Sequence, residues 1–225
     1  MSYSTLILGE SGTGKTASLR NLDPTKTLLI QPVRKPLPFR AKGWKECRAK
    51  GDGGNIFVSD IADQIIRAMH ATKAEVIVID DFQYILANMF MLKRNERGFD
   101  KFTALAGAGF DICSAASALA PEKRVYILAH TQTDDTGVVK IKTLGKLLDE
   151  KIVLEGLFTT VLRTHVEQGQ YKFSTQNNGS DTVKSPLGMF SEQFIENDLA
   201  AVDAVICEYY GLNEEPDPDS PATGA

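Results

Sequence analysis

A glycine-rich segment close to the N-terminus restricts what this chain can fold into. Residues 9–16, GESGTGKT, match the phosphate-loop (P-loop) pattern G-x-x-x-x-G-K-[ST] at every fixed position. The apolar run at residues 5–8 predicts a buried strand before the loop, and residues 17–22 predict the first turns of a helix after it. Strand, loop and helix in this order make up a phosphate-binding unit.

The residue types of the loop suit the binding of a triphosphate. Glycines let the backbone approach an anion closely, and amide N–H groups then point at the phosphates near the positive end of the helix. We expect Lys15 to contact the β- and γ-phosphates and Thr16 to bind Mg²⁺ through its hydroxyl. The other residues predicted to touch the nucleotide are Gly9, Glu10, Ser11, Gly12, Thr13, Gly14 and Ala17. The alternative is a glycine-rich turn that binds nothing.

Length and composition narrow the fold class and the compartment. The chain has 225 residues, 43% of them hydrophobic, which suffices for one sizeable α/β domain. The three cysteines are scattered and form no metal-ligand pattern, so we expect free thiols. No membrane-spanning stretch or secretory signal is visible, and we expect a cytoplasmic protein without membrane contact. A net charge of −4 argues against a globally basic nucleic-acid binder but is compatible with a local basic patch.

Apolar runs alternate with helical patterns over the first half of the chain. This order predicts an α/β fold with a mostly parallel, twisted sheet flanked by helices on both faces. Predicted strands cover residues 27–30, 55–58, 75–81, 124–129, 153–164 and 171–175, and predicted helices cover residues 59–71, 82–92, 112–119 and 194–210. Residues 93–109 are polar and contain glycines, which predicts a long loop or mobile segment. We expect one domain over residues 1–212 and a disordered acidic tail at residues 213–225.

Two adjacent carboxylates follow the most apolar of these strands. Residues 76–79, VIVI, bury the strand, and Asp80 and Asp81 come at its carboxyl end, the edge at which open α/β sheets bind ligands. We therefore expect Asp80 to lie beside Thr16 and hold Mg²⁺ through water, and Asp81 to polarise the attacking water. The alternative is that the two aspartates start a turn or cap the next helix.

A polar residue also follows the strand predicted at residues 124–129. His130 is placed there to contact the γ-phosphate and to transmit its presence to the rest of the molecule, so we include it among the catalytic candidates. The alternative is a loop histidine that only hydrogen-bonds to its neighbours.

A basic segment with interleaved aromatic residues follows the second predicted strand. Phe39 and Trp44 lie within it, and positive charge together with stacking aromatics suits a single-stranded nucleic acid. The alternative is a flexible surface loop whose aromatic side chains pack back on the domain. The cations of this segment, opposed only by Glu46, are Arg34, Lys35, Arg40, Lys42, Lys45, Arg48 and Lys50.

Six short segments taken together resemble a known family. They are residues 9–16, 35–40, 78–81, 127–130, 173–175 and 182–184. In combination they are similar to the short phage-encoded P-loop ATPases with a RecA-type core, some of which act as single-strand annealing or recombinase proteins in phage recombination. The resemblance covers nearly the whole chain except the acidic tail.

The resemblance implies a RecA-like fold, ATP and Mg²⁺ as cofactors, assembly into rings or filaments, and binding of single-stranded DNA in the cytoplasm of a bacterial host. A single-strand DNA-binding protein is a further implied partner. In RecA-like folds the loops after the two central strands face DNA, which points to residues 93–97 and to Lys140, Lys142 and Lys146. The alternative is that these are ordinary charged surface loops, which the sequence pattern favours for each loop taken singly.

RecA-type sites are also completed by a cation from across a subunit boundary, which stabilises charge on the γ-phosphate. Lys184 is the candidate here, with Arg163 and Lys172 behind it; the alternative is a surface lysine near a turn. One departure from the family is that residues 31–34 contain no carboxylate where RecA-type proteins carry a catalytic glutamate. We therefore expect slow hydrolysis, or the use of Asp81 or Glu10 instead.

These observations favour a DNA-stimulated ATPase that assembles on single-stranded DNA and promotes annealing or strand exchange. Two alternatives remain open. A small phosphotransferase, acting on a nucleotide or metabolite, would use residues 93–97 as a lid over its substrates. A nucleotide-gated scaffold with little catalysis is favoured by the missing glutamate.

Overall fold

The structure, a computed structural model, describes residues 1–48, 51–144 and 151–212. The tail predicted at residues 213–225 lies outside the described residues, as do Lys50 and Lys146. Within the described ranges the strands are β1 (Tyr3–Leu8), β2 (Thr27–Gln31), β3 (Ile56–Val58), β4 (Val76–Ile79), β5 (Arg124–Ala129), β6 (Thr131–Thr133), β7 (Val139–Ile141), β8 (Thr160–Glu167), β9 (Gln170–Ser174) and β10 (Phe194–Glu196). The α-helices are α1 (Ala62–Ala71), α2 (Gln83–Leu92), α3 (Asp100–Ser117) and α4 (Leu199–Tyr209), and two short 3₁₀-helices span Thr16–Asn21 and Leu154–Leu157.

A mixed, mostly parallel sheet of eight strands organises the chain, in the order β10-β9-β8-β1-β5-β4-β2-β3. The six strands from β8 to β3 in this order pair in parallel, and only β9 and β10 are antiparallel to their neighbours. The four central strands are short and almost entirely buried, as expected for parallel strands covered on both faces. The α/β class and the mostly parallel sheet predicted from the sequence are confirmed.

Each face of the sheet packs against a different set of helices. Side chains alternate along a strand, so Ile127 of β5 belongs to the cluster formed with α1, α2 and α3. Tyr126 and Leu128 belong to the opposite cluster, formed with α4 and the 3₁₀-helix Thr16–Asn21. The two hydrophobic layers hold the sheet rigid, and a rigid sheet fixes where the residues after each strand emerge.

Three parts of the sequence-based prediction are wrong in the structure. The loop predicted at residues 93–109 is helical from Asp100 onward, since α3 buries Leu105 and Ala106 against the sheet and this packing outweighs the poor helix propensity of its glycines. The strand predicted at residues 153–164 is a 3₁₀-helix followed by β8. The helix predicted at residues 194–210 is strand β10 followed by α4, which Asp198 caps by accepting a hydrogen bond from the backbone N–H of Ala200.

A buried polar cluster ties α4 to the sheet. The Arg124 side chain donates from Nε and Nη2 to the two carboxylate oxygens of Asp203, both at 3.0 Å. The Tyr126 hydroxyl donates to Asp203 Oδ1 at 2.6 Å. The guanidinium and the carboxylate are largely shielded from solvent, with side-chain exposures of 9% and 14%. This cluster is the main polar link between α4 and β5 that the described residues provide.

We expect the cluster to make the fold sensitive to alkali. Burial, together with the charge of Asp203, raises the pKa of Tyr126 well above its usual value of 10.0. Because the tyrosine ionises more readily in the unfolded chain, its contribution to stability is complete below about pH 10 and is lost as the pH rises toward the folded-state pKa. Tyr126→Phe should therefore reduce the alkaline fall in the free energy of unfolding, by up to about 1.4 kcal/mol per pH unit. Urea denaturation of both proteins at several pH values from about 10 upward measures this, and equal slopes over that range would contradict it.

Candidate nucleotide-binding site

The site lies where neighbouring parallel strands end at one edge of the sheet. β1 leads into the P-loop, β4 into Asp80 and Asp81, and β2 into the segment that contains Lys35. β5 lies between β1 and β4 and ends just before His130. Since the strands are parallel, their carboxyl ends open onto the same crevice, which is the usual ligand site of such sheets. Of the residues predicted from scattered segments, the P-loop, Asp80, Asp81 and His130 are thereby brought together.

The glycines of the loop are required by its shape. Gly12 and Gly14 have φ of 79° and 96°, in the left-handed region that other residues adopt at a cost. A Cβ on Gly14 would lie 2.9 Å from Tyr171 Cδ1, and a Cβ on Gly9 only 1.9 Å from Thr164 Oγ1. The loop is therefore packed against β8 and β9, and its backbone faces the crevice without side chains at these positions.

The helix after the loop differs from the one expected. It is a 3₁₀-helix of 6 residues, Thr16–Asn21, and not the start of a regular α-helix. Leu22 is already extended, with φ −64° and ψ 142°, and Asp23 precedes Pro24, which disfavours helical conformation. So short a helix has little dipole. Anion binding at this loop must depend mainly on its own amides and on Lys15.

Lys15 is folded over the loop and only 5% exposed. Its Nζ donates to the carbonyl oxygens of Gly9 and Glu10, both at 2.8 Å. Burial lowers the pKa of this ammonium below its usual value, and the carboxylates of Asp81 and Asp80 oppose the shift. A phosphate oxygen is a stronger partner for an ammonium than a carbonyl, so a bound phosphate would compete for Lys15 with the two carbonyls.

Thr16 and Asp80 are in direct contact. The Thr16 hydroxyl donates to Asp80 at 2.9 Å from Oδ1 and 3.1 Å from Oδ2, and Asp80 is 1% exposed. A hydroxyl and a carboxylate are the hard oxygen ligands that Mg²⁺ prefers. The described residues contain no group of three or more His, Cys, Asp or Glu side chains able to hold a metal. The pair therefore suits a magnesium ion that takes its other ligands from phosphates and water.

Asp81 is the most constrained residue of the site. It is a non-glycine residue with φ of 63°, a strained conformation that persists where the surroundings enforce it. The Lys35 ammonium donates to Asp81 Oδ2 and lies 3.5 Å from Asp80 Oδ2, so it bridges the two carboxylates. His130 Nε2 lies 3.3 Å from Asp81 Oδ1. The sequence pattern predicts Lys35 in a basic surface segment, whereas the structure places it beside the two carboxylates.

The pKa values of the two carboxylates are shifted in opposite directions. For Asp81, burial acts to raise the pKa, but hydrogen bonds from His130 and Lys35 outweigh it and lower the pKa to about 2. For Asp80, burial dominates over the nearby Lys35 ammonium and raises the pKa. A carboxylate with a pKa near 2 is a weak proton acceptor. The predicted role of Asp81 in activating water therefore requires Lys35 to leave it.

A cleft of about 530 Å³ joins these groups. It is lined by the P-loop, by residues of the segment after β2, and by Asp81, Tyr84, His130 and Tyr171. None of the described residues 93–97 lines it, and neither does Lys184, whose backbone pairs with Val161 and whose side chain is exposed. Arg163 is engaged with Asp181 at 3.3 Å. The action of Lys184 across a subunit boundary stays a prediction.

The aromatic residues of the basic segment point away from solvent. Trp44 is 9% exposed and packs in the cluster with β2 and α4, and Phe39 packs against it with ring centroids 6.4 Å apart. This conformation agrees with the second interpretation of the segment, in which the aromatics pack back on the domain. Arg34 pairs with Glu46. Within the described part of this segment, the exposed cations without an ion pair to another described residue are Arg40, Lys42, Lys45 and Arg48.

Comparison with known proteins does not place the chain in a family. No protein-family model matches it, and no curated protein matches it at a significant level. Over the part of the chain that the structure describes, none of the helices combines the length and apolarity needed to cross a bilayer. The function is therefore inferred from the chemistry of the site.

Proposed function

We propose that this chain binds ATP with magnesium and hydrolyses it as a DNA-stimulated ATPase that assembles on single-stranded DNA. The observation that carries the nucleotide part is the hydrogen bond between Thr16 and Asp80, formed beside Lys15 in a crevice at the carboxyl edge of a parallel sheet. A glycine-rich turn that binds nothing has no need of a buried lysine and a buried carboxylate at this position.

Residues at different positions in the cleft have different roles in this scheme. The loop amides and Lys15 bind the β- and γ-phosphates, and Thr16 and Asp80 hold the metal. Magnesium supplies positive charge that neutralises the phosphate oxygens. His130 and Asp81, in contact with each other in the same cleft as Lys15, orient the attacking water.

Lys35 takes part in this scheme as the cation that balances the two carboxylates before nucleotide binds. We expect Lys35→Ala to lower the free energy of unfolding of the ligand-free protein by about 1–3 kcal/mol, because it removes the ammonium that bridges two adjacent, buried carboxylates. Magnesium can replace the lost charge, so the rise in melting temperature on adding Mg²⁺ and ATP should be larger than for the wild type. Thermal unfolding with and without the ligands measures both effects.

Lys26→Ala is the matched control for this experiment. Lys26 pairs with Glu75 at 3.3 Å on the surface, where its side chain is 59% exposed. Exposed ion pairs contribute little to the free energy of unfolding, so this variant should have about the same melting temperature as the wild type. Equal ligand-induced shifts in the wild type and Lys35→Ala would contradict the balancing role.

The DNA-binding part of the proposal is supported by charge and by chain continuity. Arg40, Lys42, Lys45 and Arg48 are exposed and belong to the segment that starts at the cleft with Lys35. Cations of this kind bind phosphates of any sequence, and the shared segment gives DNA a route to influence the site. The RecA-like core, the assembly into rings or filaments and the action in phage recombination are proposed from the sequence resemblance.

ATP turnover with and without single-stranded DNA tests the proposal. We expect DNA to raise turnover severalfold and DNA binding to weaken steeply with salt. Replacing Arg40, Lys42, Lys45 and Arg48 by alanine should remove the stimulation and leave DNA-independent turnover in place. A control variant with Lys26, Arg67 and Lys73 replaced by alanine should retain the stimulation of turnover by DNA. Turnover unaffected by DNA, with no binding at low salt, would refute the DNA-binding part.

One observation favours the nucleotide-gated scaffold as the second candidate. Asp81 is held by Lys35 and His130 with a pKa of about 2, and residues 31–34 contain no carboxylate to replace it as a base. ATP that binds tightly and is released unhydrolysed, with or without DNA, would establish this alternative. The phosphotransferase is less well supported, since the described residues 93–97, its proposed lid, do not line the cleft.

A further inference from the structure

A second cavity, of about 720 Å³, lies next to the phosphate cleft. Its walls are the start of the 3₁₀-helix, strand β9 and the edge strand β10. Ala17 and Tyr171 line both this cavity and the phosphate cleft, so the two spaces adjoin at the end of the P-loop. A ligand held by the loop can therefore extend past Ala17 into the second cavity.

The buried side-chain amide of Asn197 belongs to a residue that lines this second cavity. Asn197 is 3% exposed, and among the described residues its Nδ2 has no hydrogen-bond partner. Its Oδ1 is 3.1 Å from the place where a Cβ on Gly14 would lie, so the amide is next to the P-loop. Buried donors are almost always satisfied in folded proteins. The Nδ2 atom is itself closed off from solvent, so a rotation of the side chain would bring this unpaired donor to an acceptor on a ligand.

We propose that this cavity holds the nucleoside of the triphosphate, with its base against Tyr171 and an acceptor atom of the sugar or base bonded to Asn197 Nδ2. The assignment rests on the proposed nucleotide function. Lys15 and Thr16 hold the outer phosphates and the metal. The sugar and base, at the other end of the nucleotide, then lie past the next residue, Ala17. The Tyr171 ring is 49% exposed and forms a shared wall on which a flat base can stack.

The charged side chains that line the cavity suit a neutral sugar or base better than a further phosphate. Its lining contains two cations, Arg20 and Lys172, and two carboxylates, Glu192 and Glu196. Arg20 is already engaged, since its guanidinium donates to the carbonyl oxygen of Asn197. With no net positive charge from these side chains, the cavity offers stacking and single hydrogen bonds, the contacts that a nucleoside makes.

A competing cavity lies at the opposite end of the cleft. It measures about 310 Å³ and is lined by Gln83, Tyr84 and His130 among others. The Gln83 side chain likewise has no hydrogen-bond partner in the part of the chain that the structure describes. His130 contacts Asp81, on the side where the γ-phosphate and the attacking water are proposed to lie. A nucleoside there would have to approach from the reacting end of the triphosphate, so we assign it to the Tyr171 side.

Comparing ATP with inorganic tripolyphosphate, each with Mg²⁺, tests the assignment by calorimetry. Both ligands carry three phosphates, and only ATP carries a nucleoside. Tyr171→Ala should weaken ATP binding about tenfold and change tripolyphosphate binding less than twofold. Asn197→Ala should act in the same direction, while Tyr209→Ala, which removes an exposed tyrosine elsewhere, should leave both affinities unchanged.

The outcomes separate this inference from the function on which it rests. Equal losses for both ligands in Tyr171→Ala, no loss for either, or an ATP-selective loss in Tyr84→Ala instead would each overturn the nucleoside site. A wild-type protein that binds tripolyphosphate as tightly as ATP would also overturn the nucleoside site, but that result would still support the proposed phosphate site. A wild-type protein that binds neither ligand would refute the nucleotide function together with this inference.

Discussion

Lys15→Ala should reduce ATP turnover about 10²- to 10³-fold, because it removes the preorganised cation that stabilises charge on the β- and γ-phosphates. Affinity for ATP with Mg²⁺ should fall about a hundredfold, the usual scale of a lost charge-assisted hydrogen bond to phosphate. Phosphate release and calorimetry measure the two effects. Tripolyphosphate binding should fall with ATP binding, since the lost contact is to the phosphates.

The same substitution should leave the ligand-free fold intact. Burial lowers the pKa of Lys15, so the folded protein gains little from this cation, and its two bonds go to carbonyls of the loop itself. Thermal unfolding without nucleotide should match the wild type to within a few degrees. A folded Lys15→Ala protein that turns over ATP at more than about a third of the wild-type rate would refute the assignment of the loop.

Asp203→Ala should lower the free energy of unfolding by about 3–5 kcal/mol, the range found when one partner of a buried ion pair is removed. The carboxylate accepts three hydrogen bonds, two from Arg124 and one from Tyr126. Its removal leaves a phenol hydroxyl and a guanidinium largely out of reach of water, the latter with only Glu75 as an ion-pair partner among the described residues, and it removes the polar link between α4 and β5. Denaturation in urea, monitored by circular dichroism, measures the loss.

Asp63→Ala provides the matched control for that measurement. Asp63 pairs with Arg67 at 3.8 Å within α1, with both side chains at least 78% exposed. Removing an exposed pair should change stability by less than about 0.5 kcal/mol. If Asp203→Ala destabilised the protein by under about 1 kcal/mol, the cluster would not be the link between α4 and the sheet that we infer.

Several features of the site were predictable because local sequence dictates them. The P-loop pattern predicted glycines at positions where the structure has positive φ or where a Cβ would collide. The apolar run before Asp80 predicted a buried strand, and a parallel sheet then places Asp80 near Thr16, as found at 2.9 Å. His130 was likewise expected at this edge of the sheet.

Other features depended on contacts between distant segments and were missed. Residues 100–109 looked like a loop because of their charges and glycines, and they are helical because α3 packs on the sheet. For Trp44 the sequence left two interpretations open, a stacking platform or a side chain packed back on the domain, and the residue is buried because the segment after β2 folds back on the core. Nothing in the local pattern around Lys35 distinguished it from its basic neighbours.

The sequence by itself determined the phosphate loop, the central apolar strands and the α/β class, because each depends on the conformational preferences and hydrophobicity of adjacent residues. Only the tertiary structure decided that Lys35 bridges Asp80 and Asp81 and that Asn197 faces a cavity beside Gly14. These placements depend on which strands become neighbours in the sheet. Strand pairing is set by long-range packing, and electrostatic partners far apart in the chain meet only after it is complete.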